Sequence, residues 1–109
     1  MEEINYQDLI NKQKNIYFML CERIKNIMVR VSRMGDYFVN NINHKTVNLY
    51  DDLFKMKRLS EAINNMLKNE YFTYSYFTAL NENNMRLDRL VESIENRLNV
   101  TVKTKNLEK

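Results

Sequence analysis

With no proline and a single glycine, Gly35, in 109 residues, this chain has almost none of the residues that tight turns need. Hairpin turns require positive or fixed φ, which glycine and proline supply. A β-rich fold of this length needs several such turns, whereas long helices joined by a few polar loops do not. The expected class is therefore all-α, as one domain large enough for a real core. An apolar fraction of 44% with mixed charge belongs to a globular chain, not a disordered one. Seventeen asparagines against two alanines make for mediocre helix formers, so packing has to hold these helices more than intrinsic propensity does.

Tyr17, Leu20, Ile24, Ile27, Val31, Met34 and Phe38 recur at alternating spacings of three and four, the a/d repeat of a helix that buries one seam. Tyr6 and Ile10 carry the register back toward the N-terminus, interrupted at Gln13. Beside the seam, Cys21, Met28, Gly35 and Ile42 recur every seven residues, which widens the stripe to that of a helix facing two neighbours in a bundle. The pattern predicts a first helix over about residues 5–42, with Asn5 as its N-cap and Asp8 three residues later. Gly35 costs about 1 kcal/mol in a helix interior, so a break at Met34-Gly35-Asp36 is the alternative. The unshifted phase through Met34 and Phe38 favours a continuous helix.

The polar stretch 40–46 is the clearest loop. A second helix is expected from Thr46 or Asn48 to Lys68-Asn69, with Leu49, Leu53, Met56, Leu59, Ile63, Met66 and Leu67 as its stripe and Asp51 and Asp52 in its first turn. Residues 70–80 are aromatic and hydroxyl-rich, which favours strand on propensity. Tyr76 and Leu80 nevertheless lead into Leu87, Leu90 or Val91, Ile94 and Leu98 at helical spacing, so a third helix is expected from about Thr73. The expected architecture is a three-helix up-down-up bundle with a long, coiled-coil-like first helix. It fills residues 1–98 and leaves 99–109 as a charged tail, in which Val100 and Val102 allow fraying or a short edge strand.

A turn centred near residue 45 would end the second helix opposite residue 21. That leaves the apolar cluster Ile16 to Leu20 to be covered by the aromatic stretch 71–80 or by a second copy. Tyr17, Phe18, Tyr71, Phe72, Tyr74 and Tyr76 are accordingly the candidate partner-binding residues. The same register would gather Arg30, Arg33, Lys55, Lys57 and Arg58 at one level, a candidate phosphate-binding patch on a chain of net charge +3. No basic residue is interleaved with the aromatics from Tyr71 to Leu80, which fits packing or interface better than base stacking.

Nothing points to catalysis. His44 is the only histidine and sits in the polar loop, and Cys21 is the only cysteine, expected as a buried and inert thiol. No glycine-rich phosphate loop, nucleophile elbow or metal-ligand cluster is present, so neither metal nor cofactor is expected. No apolar run approaches the roughly 18 to 20 residues of a membrane span. Glu2 and Glu3 stand where a secretory signal carries positive charge, so an intracellular location is the expectation.

The favoured reading is a non-enzymatic helical interaction module: an assembly subunit, adaptor or inhibitor that binds a protein partner or itself through the first helix and the aromatic segment. The alternative is a small DNA-binding regulator. It would have a helix-turn-helix-like core over 36–42, 48–57 and 59–68, a wing strand at 70–78 and a dimerising last helix.

Overall fold

The computed structural model describes residues 4–40 and 42–107. Four helices follow one another: α1 (Tyr6–Arg33), α2 (Gly35–Asn40), α3 (His44–Lys68) and α4 (Tyr74–Leu107). There is no strand among the described residues. The molecule is a rod of about 63 × 20 × 19 Å.

Each long helix starts at a residue whose side chain accepts backbone N–H groups. Asn5 Oδ1 accepts from Asp8 N (3.3 Å). Asn43 Oδ1 accepts from the amides of Lys45 (2.9 Å) and Thr46 (3.1 Å), and Thr46 Oγ1 accepts the Asn43 amide in return (2.9 Å), a closed capping box. Thr73 Oγ1 accepts from Tyr76 N (3.2 Å). With that cap in place the aromatic run from Tyr74 is helical despite its strand propensity, because its apolar residues continue the seam of α4.

The helices run up-down-up. Gln13 of α1 bonds Asn81 and Asn84 of α4 while Arg23 bonds Asp88 and Glu95, so α1 and α4 are parallel. Met66 meets Tyr76 and Asn83 while Asp52 meets Arg97, so α3 and α4 are antiparallel. Three a/d seams close on one another: Ile10, Gln13, Tyr17, Leu20, Ile27, Val31 and Met34 from α1; Thr46, Leu49, Leu53, Met56 and Ile63 from α3; and Leu80, Asn84, Leu87, Val91, Ile94 and Leu98 from α4. Each large aliphatic side chain taken fully out of water contributes about 1.5 to 3 kcal/mol. The seam of α3 has a polar slot between Met56 and Ile63. There Ser60 receives the Tyr17 hydroxyl, 2.9 Å to its carbonyl and 3.2 Å to its Oγ.

Several expectations need correction. The first helix is not continuous: Met34, with φ −102° and ψ 14°, ends α1, and its amide is shared between the carbonyls of Arg30 and Val31 (3.1 Å each). The seam survives this break because Met34 itself stays buried, which is why the phase gave no sign of it. Phe38, the next seam residue, has a side chain outside the described residues, as have Val100 and Val102. The backbone at 100–102 is helical, so the short edge strand does not form. Because Asn43 starts α3 earlier than expected, Asp51 and Asp52 lie past its first turn. Asp52 instead takes Arg97 of α4.

The expected register also moves. Tyr17 faces Ser60, where a turn centred near residue 45 would have set it opposite residue 73. α3 therefore passes the level of Ile16 to Leu20, where Tyr17 and Leu20 are buried and Ile16, Phe18 and Met19 stay exposed, and Phe72 of the aromatic stretch lies elsewhere, beside the N-terminal residues Ile4–Gln7. The helix-turn-helix architecture is absent among the described residues, since 48–57 and 59–68 form one uninterrupted helix and 74–78 is helical.

Candidate interaction surfaces

The six candidate partner-binding residues divide in two. Tyr17 is buried (5% exposed) and pinned to Ser60, and its phenol pKa is pushed up chiefly by that burial. Tyr76 is half-buried; its hydroxyl donates to the Met66 carbonyl (2.7 Å) in the last turn of α3, and burial raises its pKa too. Both fasten helices together. Phe18, Tyr71, Phe72 and Tyr74 are exposed.

Tyr71, Phe72 and Tyr74 sit at one end of the rod, in the α3–α4 connection and the first residue of α4. Phe72 joins Ile4, Asn5, Tyr6 and Gln7 around a shallow hollow of about 440 Å³. Tyr71 stands edge-on to Tyr76, with ring centroids 6.3 Å apart and planes at 71°. The connection is tied to α1 by the Lys14–Glu70 ion pair. An apolar, aromatic end is thus presented on a backbone held at both sides.

The five basic residues do not gather. With Tyr17 opposite Ser60, Arg30 and Arg33 lie thirteen and sixteen residues beyond that level on α1, while Lys55, Lys57 and Arg58 lie two to five residues beyond it on α3. At 1.5 Å per residue the two groups are separated by roughly 12 to 21 Å along the rod. Lys55 pairs with Asp52 (3.8 Å), and the Arg58 guanidinium lies 5.3 Å from the centre of the Phe54 ring.

The sequence reading missed two features. Arg23 forms a fork to α4, with Nη1 to Asp88 Oδ1 (2.9 Å) and both Nε and Nη2 to Glu95; Glu95 above all drives the guanidinium pKa further up. These partners lie more than sixty residues apart in the chain, and no local spacing signals them. The other is a second apolar stripe on α3, where Val47, Tyr50 and Phe54 follow at spacings of three and four and remain exposed. Cys21, expected to be buried, is half-buried against the core.

Among the described residues no three His, Cys, Asp or Glu side chains converge as metal ligands, and no helix is long and apolar enough to cross a membrane. No family model, curated protein or solved structure matches the chain.

Proposed function

We propose that this chain is a non-enzymatic helical interaction module, acting as an assembly subunit, adaptor or inhibitor by binding a protein partner or a second copy. The observation that carries this reading is the aromatic end. Tyr71, Phe72 and Tyr74, with Ile4 beside Phe72, stay in water although the three seams have completed a core without them. Clustered exposed aromatics mark binding surfaces, because they bury large area with few rotatable bonds. The level separation of the basic residues gives nucleic acid no comparable footing.

The test is size-exclusion chromatography with light scattering and the absorbance ratio at two wavelengths, informative here because the chain has no tryptophan. Association free of nucleic acid, lost in Phe72→Ser/Tyr74→Ser while the circular dichroism melt is unchanged, is the expected result. A chain that stays monomeric at every concentration, or one that elutes with nucleic acid and sheds it at high salt, overturns the reading.

A further inference from the structure

α1 carries a stripe that the core does not use. Asn15, Phe18, Glu22, Lys25, Val29 and Ser32 follow one another at spacings of three and four, turned roughly 150° from the buried seam at 3.6 residues per turn. All six are exposed, Phe18 at 56% and Val29 at 42%. Arg23, the neighbour of Glu22, turns toward α4 and is forked to Asp88 and Glu95. Glu22 and Lys25 enter no ion pair among the described residues. An opposite pair of charges thus stands open between two apolar side chains on the outer side of α1.

Reversed, this stripe is its own complement. An antiparallel copy of α1, with the two-fold axis between Arg23 and Ile24, sets Phe18 opposite Val29, Glu22 opposite Lys25 and Asn15 opposite Ser32 of the second copy. Each pair recurs on the other side of the axis, as an isologous interface requires. The pairing runs over about 26 Å of helix. Lys14 and Arg33 also come level, but Lys14 is held by Glu70 and Arg33 lies on the other flank of the stripe. In a parallel pairing in register Glu22 would meet Glu22 and Lys25 would meet Lys25, and like charges juxtaposed across an interface are disfavoured. A partner of another kind has to bring the matching alternation with it, whereas a second copy already has it.

We propose that the outer stripe of α1 pairs antiparallel with the same stripe of a second copy; the proposal rests on the reading that the chain acts by binding, and makes a second copy one of its partners. This contact is lateral, well away from the aromatic end beside Ile4–Gln7. With two apolar contacts it is also the weaker of the two, so it is read at higher concentration once association through the aromatic end has been removed.

Sedimentation equilibrium of the full chain carrying Phe72→Ser/Tyr74→Ser, from micromolar to millimolar concentration, measures the lateral pairing alone. A monomer–dimer equilibrium is expected. Its dissociation constant should rise by about tenfold or more with Glu22→Lys, and likewise with Lys25→Glu, because each change sets two like-charge pairs across the axis. The double change Glu22→Lys/Lys25→Glu restores both pairs in reverse and should bring the constant back toward its starting value. An equal mixture of the two single variants should dimerise as well. Both side chains are exposed, so thermal melts of these variants should stay close to that of the parent. A monomer at every concentration, a dimer indifferent to the single changes, or a double change no better than the single ones overturns the proposal. If it fails in any of these ways while the chain without substitutions associates through Phe72 and Tyr74, the interaction reading stands without this stripe; if that chain is monomeric too, both are lost.

Discussion

Asn84 is 2% exposed in the middle of an aliphatic seam. Its Nδ2 donates to the Gln13 carbonyl (3.0 Å) and to Gln13 Oε1 (2.8 Å), Gln13 Nε2 donates to Asn81 Oδ1 (3.0 Å), and Asn84 Oδ1 has no partner. A buried acceptor left unmet costs about 1 to 3 kcal/mol. What the pair supplies in exchange is registry: a buried amide bond between parallel helices is satisfied at one offset and broken at any other. Asn84→Ala leaves Gln13 Oε1 without its donor and should lower the unfolding free energy by about 1 to 3 kcal/mol in chemical denaturation. The double change Gln13→Leu/Asn84→Leu should restore or exceed the parent stability; if it does not, the amide pair holds the fold by more than registry. In sequence, Gln13 reads only as an interruption, because its partner lies 71 residues away. Gly35 differs, being visible at once and yet not required by the backbone. Its φ is not positive and nothing lies within 4 Å of where a Cβ would stand. Gly35→Ala should raise stability by about 0.4 to 1 kcal/mol through the unfolded chain's lost freedom, read from the denaturation midpoint.

At the scale of the element, caps and seams were legible and continuity was not. Asn5 caps α1 and Lys68-Asn69 closes α3 where local chemistry put them, since a cap is decided by a side chain and amides two or three residues away. α3 starts ahead of the expected Thr46 or Asn48 because Asn43, inside the polar stretch, is the residue that caps it. The capping box selects Asn43 by satisfying two donors with one side chain and returning a third bond from Thr46. Asn43→Ala should therefore cost about 1 kcal/mol, and amide exchange in the first turn of α3 should accelerate more than in its centre. Equal exchange throughout α3 would mean that packing of Leu49 and Leu53, and not the box, sets that helix end. The break at Met34 is the alternative that Gly35 offered, and the unshifted phase argued against it because a bend that keeps its seam residue buried leaves no mark on hydrophobic periodicity.

For the whole molecule, sequence indicated an up-down-up order but not which helices pack. α4 lies along both other long helices, and α1 and α3 meet at few points. This geometry depends on the offset between helices, which is fixed by contacts such as Gln13–Asn84 and Tyr17–Ser60 that span most of the chain. Hence the candidate aromatic surface survives in part while the basic patch separates. The same geometry makes two phenols responsible for tying α3 to its neighbours: Tyr17 from α1 and Tyr76 from α4, both held protonated by burial. Their folded pKa values lie above the unfolded value of about 10, so the folded state binds more protons in that range. The contribution is whole below about pH 10 and is lost as pH rises through the raised folded values, because the unfolded chain ionises first. Thermal melts should therefore fall from about pH 9 to about pH 11. Lysine deprotonation weakens ion pairs over the same range, and Tyr17→Phe/Tyr76→Phe separates the two effects. That variant should melt lower than the parent at about pH 9, having lost both hydrogen bonds, and decline less steeply with pH. Parallel decline in parent and variant would assign the alkaline loss to the lysines and leave the phenols only their hydrogen bonds.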